Sequence, residues 1–219
     1  HTDSSAASDV YKRQIFARYL IILKKDITTL TKAEIKSFCA DNDIRSFVSS
    51  QVYSWIWNKS CSSFSDMSNV SLEDRSKFDK EFFINSLDVD VEEESSDGTI
   101  KTKFKLHDGN FVEGVLIPKN KRMTACISSQ VGCSLSCSFC ATGTLGLTRN
   151  LSASEIYRQV VYISKKCLEV HNQPLTNIVF MGMGEPLLNY KNVLRSIHFI
   201  TSEEGLNMSY KRITLSTSG

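Results

Sequence analysis

Three cysteines fall within eight residues, Cys133-Ser-Leu-Ser-Cys137-Ser-Phe-Cys140, in a chain of 219 residues that carries seven in all. The odd total and the crowding argue against a secreted disulfide framework and for a bound metal in a reducing compartment, the cytoplasm. Three thiolates on a loop that follows a strand can wrap one soft metal centre, and no neighbouring His or fourth Cys completes a closed zinc tetrahedron. A [4Fe–4S] cluster ordinarily takes four thiolates, so three leave one iron free to bind something else. An incomplete zinc knuckle, or loop cysteines without a metal, fits the spacing too.

Around the cysteines the pattern alternates strand and helix. Thr124 to Ser129 reads as a strand, and Ser152-Ala-Ser-Glu155 is a capping box opening a helix to about Leu168, with Ile156, Val160, Ile163 and Cys167 on its inner face. Thr176 to Met181 is an apolar strand, Asn189 to Glu203 a second helix stopped at Gly205, and Arg212 to Thr217 a third strand. This is an α/β pattern of parallel strands with helical crossovers, in which ligands sit at the carboxyl ends of the strands. Gly182 and Gly184 would let backbone approach such a ligand, although a plain strand-to-helix turn explains them equally; Glu185 can accept from an ammonium or hydroxyl, and Pro186 ends the strand.

Upstream, the signals are different. Thr31-Lys-Ala-Glu34 is a capping box with Ile35, Phe38 and Cys39 on one face; Val48, Val52, Trp55 and Ile56 follow helical spacing; Ser71 opens a third helix with Leu72, Phe78, Phe82 and Phe83 as apolar positions. The acidic run between Asp88 and Gly98 reads as a linker or turn. Ile100, Phe104 and Leu106 then alternate with Lys101, Lys103 and Lys105, and Asp108-Gly109 turns the chain into a second strand, Phe111 to Ile117. The lysine face could hold phosphates or could simply guard a sheet edge. Total charge does not decide: 26 Lys and Arg against 24 Asp and Glu leave +2, too mild to announce a nucleic-acid binder. The apolar stretch Ile15 to Leu23, interrupted by Arg18, is too short for a membrane span and lacks a cleavage site. The division expected is a non-native or disordered leader at 1–23, a helical accessory domain at 24–87, a linker and basic β-hairpin at 88–122, and an α/β core at 123–219.

The C-x3-C-x2-C spacing with Phe139 before the last cysteine resembles the signature of the radical S-adenosylmethionine (SAM) superfamily. Ser128-Ser-Gln-Val-Gly-Cys133, Arg149-Asn-Leu151, Met181-Gly-Met-Gly-Glu-Pro-Leu-Leu-Asn189 and Leu215-Ser-Thr-Ser-Gly219 narrow the resemblance to the RlmN family, bacterial dual-specificity methyltransferases acting on adenine C2 in 23S ribosomal RNA and transfer RNA. It extends over about Lys24 to Gly219. It implies the N-terminal part, about three βα units, of a partial (βα)6 TIM-like barrel. It further implies a [4Fe–4S] cluster on Cys133, Cys137 and Cys140, SAM contacts at Gly184, Glu185 and Ser216, Glu113 as proton acceptor, and Cys126 as the thiol closing a transient disulfide with a second, methyl-carrying cysteine. Read without the resemblance, Cys126 is a buried strand cysteine and Glu113 a surface charge.

Adenine C2 lies between two ring nitrogens and is neither nucleophilic nor acidic enough for polar methyl transfer. The family's route, as the resemblance implies it, methylates a cysteine from one SAM and takes a hydrogen from that methyl with a radical made from a second. The carbon radical then adds to the base, a carboxylate removes the proton, and thiol chemistry releases the product. The base must be unpaired or flipped into the site. The implied partners are 23S rRNA, tRNA and an electron-donating protein, with no membrane. The sequence ends before the segment expected to carry the methylated cysteine, so these 219 residues are expected to be inactive by themselves. A sister enzyme acting on adenine C8, a radical SAM enzyme acting on protein and a non-enzymatic zinc RNA-binding module remain as alternatives.

Overall fold

The computed structural model describes residues 24–218; the leader expected at 1–23 lies outside them. The chain divides into two units, one running to Ile56 and resuming over Cys61–Ile84, the other made of Trp57–Ser60 and everything from Asn85 onward.

In the first unit, helix α1 (Lys32–Asp41) opens on the expected capping box: the Thr31 hydroxyl accepts from the Glu34 amide at 3.2 Å and Glu34 accepts from the Thr31 amide at 2.7 Å. It buries Ile35 and Cys39. Helix α2 (Phe47–Trp57) buries Val48, Val52 and Ile56. Helix α3 (Leu72–Glu81), capped by Ser71, buries Phe78. The expected third helix runs too long in the sequence reading. Phe82–Phe83 leaves the helix as strand β2 and pairs in parallel with β1 (Lys25–Asp26), which supplies partners to backbone groups beyond the helix end. Leu72 is 79% exposed, outside the core. Phe38, Phe78 and Phe82 pack ring against ring at 4.8–6.3 Å.

The second unit is organised by one sheet. Its strands among the described residues are β3 (Asp88–Glu94), β4 (Ile100–Lys105), β5 (Phe111–Lys119), β6 (Arg122–Cys126), β9 (Asn177–Phe180) and β10 (Ile213–Leu215), ordered β10-β9-β6-β5-β4-β3. A separate antiparallel pair joins β7 (Gln130–Gly132) to β8 (Leu147–Asn150). β6, β9 and β10 run parallel, joined by helices α4 (Ala153–His171) and α5 (Tyr190–Thr201), as the alternating pattern predicts. The capping box at Ser152 and Glu155 is formed, and Ile156, Val160, Ile163 and Cys167 are buried along α4.

Two expectations change here. The segment expected as a linker between Asp88 and Gly98 is largely strand β3, antiparallel to β4. Two of its acids are matched by cations from other elements, which a linear reading cannot see: Asp90 meets Lys103 of β4 at 2.7 Å, and Glu92 meets Lys166 of α4 at 2.9 Å while accepting from Thr102 and Tyr162. The lysine face of β4 is correspondingly engaged and does not form the sheet edge. Lys101 pairs with Glu113 at 2.8 Å, and Lys103 also lies 4.0 Å from the Phe111 ring centre. The hairpin therefore extends the α/β sheet through the antiparallel contact of β5 with β6.

Candidate functional site

Strand register brings three loops to one end of the sheet. Cys126 pairs with Val179, and Leu215 with Phe180, so the chain leaves β6, β9 and β10 side by side. Between these loops lies a cavity of about 250 Å3 whose walls include Cys133, Cys137, Cys140, Gly184, Glu185 and Ser216. These are all six residues to which the sequence reading assigned cluster or SAM contacts.

The cysteine loop has a closed neck. The Cys133 amide donates to the Gly146 carbonyl at 3.0 Å, and Gly132 has φ +76 with its imagined Cβ only 1.8 Å from that same carbonyl oxygen. Only glycine fits there. Inside the loop the Cys140 amide donates to the Cys137 carbonyl and the Gly143 amide to the Cys140 carbonyl, each at 3.0 Å. Cys133 is buried; Cys137 and Cys140 are partly exposed. The Gly143 and Thr142 amides lower the Cys140 thiol pKa, which favours the thiolate that a metal needs. As they stand, no three His, Cys, Asp or Glu side chains among the described residues converge as a metal-holding group. The thiols share a wall and an opening, a donor set suited to a soft centre with one free position.

Opposite the thiols stands Glu185, 7% exposed. Burial raises its carboxyl pKa, but the amides of Leu187 and Ser218, each donating at 3.0 Å, and the side chains of Thr217 and Ser218 bring it below the ordinary value. The glycines beside it serve internal packing. A Cβ on Gly182 would lie 2.7 Å from the Ile127 carbonyl oxygen, and one on Gly184, at φ +93, would lie 2.4 Å from Gln130 Cβ. Their smallness lets the loop after β9 close on the segment after β6: Ser128 Oγ accepts from the Met183 amide, the Met183 carbonyl accepts from the Ser129 amide, and Gln130 Oε1 accepts from the Glu185 amide, all at 2.8 Å.

The structure places the two remaining candidates differently. Cys126 lies half-buried at the end of β6, where desolvation raises its thiol pKa and the Met181 amide partly opposes this; Met181 itself lines the cavity. All seven cysteines are free, so the disulfide implied for Cys126 is not formed among them. Glu113 is not among the residues lining the cavity. Its carboxylate faces Lys101, and its backbone carbonyl accepts from Ser128 Oγ at 2.6 Å.

Sequence reasoning missed an ion network around the start of α4. Arg149 makes two 2.8 Å bonds to Glu155 and one of 2.6 Å to Asp108, while His107 lies 3.5 Å from Glu155. Glu155 is fully buried. Burial raises its pKa, but His107 and Arg149 overcome this and bring it down to about 2. The capping position of Glu155 and the quoted Arg149 were both visible, yet their pairing with Asp108 in a distant turn was not. Asn189 completes the scaffold, donating to the Ser129 and Leu151 carbonyls at 2.7 and 2.8 Å.

Among known proteins, residues 25–84 match the family model described as the ribosomal RNA large subunit methyltransferase N-terminal domain, and residues 127–219 match the radical SAM superfamily. A probable dual-specificity RNA methyltransferase RlmN from Flavobacterium johnsoniae is 54% identical over 90% of this chain and 57% of its own length. The dual-specificity RNA methyltransferase RlmN from Geotalea uraniireducens is 44% identical over 90% of this chain and 55% of its own. A radical SAM methyltransferase crystal structure from Sphaerobacter thermophilus superposes with a TM-score of 0.78 at 38% identity, covering 89% of this chain and 57% of that one. The chain thus spans somewhat over half the length of the relatives it matches. With an α/β core, three thiols walling one cavity at its strand ends, and two family matches in that order along the sequence, the chain belongs to the RlmN family of the radical SAM superfamily.

Proposed function

We propose that this chain carries the cofactor-binding part of a radical SAM enzyme that methylates C2 of adenine in 23S rRNA and tRNA. The observation that carries the reading is that Cys133, Cys137, Cys140, Gly184, Glu185 and Ser216 all line one cavity at the strand ends. The three thiolates anchor a [4Fe–4S] cluster, whose chemistry when bound is to deliver one electron to the sulfonium of SAM. Glu185, held as a carboxylate by the Leu187 and Ser218 amides, receives the amino or hydroxyl groups of SAM. Ser216 supplies a hydroxyl, and Gly184 lets the wall close against Gln130. Cys126 waits as a protonated thiol beside Met181. Glu113, outside the cavity wall and paired with Lys101 in this structure, is the carboxylate that would take the proton lost from adenine C2. The flipped base enters from the open side of the cavity. An electron-donating protein partner completes the system.

Anaerobic reconstitution with iron and sulfide tests the cofactor reading. The chain should take up iron and sulfide with brown absorbance, and Cys133→Ala, Cys137→Ala and Cys140→Ala should each abolish it. Cys39→Ala, Cys61→Ala and Cys167→Ala should retain it, because none of these thiols lines the cavity. Stoichiometric zinc without iron would overturn the reading.

A further inference from the structure

The parallel strands that end at the cofactor cavity begin beside a second concavity. Lys119 ends β5, Arg122 opens β6, Asn177 opens β9, and Arg212 immediately precedes β10; Asn120 and Lys121 make the turn between β5 and β6. With Thr176 they enclose about 450 Å3. Four of these seven residues are cationic and none is acidic, in a chain whose charges nearly balance. All four cations are exposed, and among the described residues none engages in an ion pair.

Two of the three lysines of β4, Lys101 and Lys103, each face a carboxylate. The basal cations instead face one another. Lys119 and Arg122 are directly opposed in the β5–β6 register, a placement of like charges that costs stability. Asn120, at φ +56, turns the chain tightly between them. Two arginines offer planar forks for phosphate oxygens, and the two lysines add point charges. A concavity this wide and exposed does not enclose a single small anion. It suits a run of phosphates along a polynucleotide.

We propose that this basal concavity is a second RNA contact, gripping backbone phosphates while the target base is held at the opposite strand ends. The two sites are separated by roughly the length of β9, about 13 Å at the usual rise of a strand. Bases are not read here; the contact is electrostatic and insensitive to sequence. The inference rests on RNA being the substrate of the cofactor cavity.

The test uses the full 219-residue chain, reconstituted anaerobically, with a fluorescent RNA stem-loop titrated at several salt concentrations. Lys119→Ala, Lys121→Ala, Arg122→Ala and Arg212→Ala together should weaken binding and flatten the salt dependence. The slope should fall by up to about 0.9 for each lost contact on duplex, or about 0.7 on single strand. Iron content and SAM binding should be unchanged. If the fourfold variant fails to fold by circular dichroism, Lys121→Glu and Arg212→Glu, singly, should still lower RNA affinity. Unchanged affinity and slope in folded variants, with RNA binding by the parent chain intact, would overturn the basal contact and leave the proposed function standing. A parent chain that loads iron and SAM but binds no RNA would overturn both.

Discussion

At the scale of single residues, Arg149 and Glu155 carry the sharpest stability consequence. Glu155 is buried at the mouth of α4 and satisfied only because Arg149, His107 and the helix amides surround it. Removing one partner of such a pair leaves a charge buried without compensation, which costs about 3–5 kcal/mol. Arg149→Ala should therefore destabilise the second unit by that order in urea unfolding, far more than Lys191→Ala at an exposed position. The pH dependence has a definite sign. Because the folded pKa of Glu155, about 2, lies below its usual 4.5, its contribution is complete above pH 4.5. It is lost as pH falls from there toward 2, and amounts to about 3 kcal/mol. Unfolding midpoints measured from neutral pH down to pH 3 should fall steeply for the parent chain and flatten for Glu155→Gln. His107, whose pKa rises mainly through its hydrogen bond to Glu155, contributes oppositely: its part is present below its ordinary value and lost as pH climbs through the raised one. Gly184→Ala should also destabilise, since φ +93 and the nearness of Gln130 both exclude a methyl group.

At the scale of elements, the cysteine loop and the lysine strand respond to substitution in contrasting ways. Gly132→Ala would force the loop neck open, because its Cβ coincides with the Gly146 carbonyl. Iron uptake should drop although every thiol remains, as iron and sulfide assay of the reconstituted variant would reveal. Lys101→Ala, Lys103→Ala and Lys105→Ala together should alter the salt dependence of RNA binding less than the basal substitutions do, because Lys101 and Lys103 are already held by carboxylates. The same comparison marks what the sequence could reveal. Caps and crossover helices were legible because their signals are local: a Thr or Ser with Glu three residues on, and an apolar stripe at helical period. The three thiols were legible by spacing. The strand at Asp88–Glu94 was not, since its acids look like a solvated break until β4 and α4 bring Lys103 and Lys166 opposite them. Likewise the glycines after β9 suggest room for a ligand when read alone, whereas their tightest neighbours are Ile127 and Gln130 of this same chain.

At the scale of the whole molecule, the described residues contain no helix long and apolar enough to cross a membrane, and the chain matches its relatives over little more than half their length. A polypeptide of these 219 residues should load iron through Cys133, Cys137 and Cys140, which iron and sulfide assay checks. Mass spectrometry of digested RNA would separate C2 from C8 methylation in an active protein. The order of the main sheet has one more consequence. Both edges of β6 are bonded, one to β9 and the other to β5, so no later strand can dock against β6 to complete a ring. Among the described strands β10 ends the parallel part of the sheet, so a further parallel strand can join it there, and a barrel grown that way stays open along the seam where β5 meets β6.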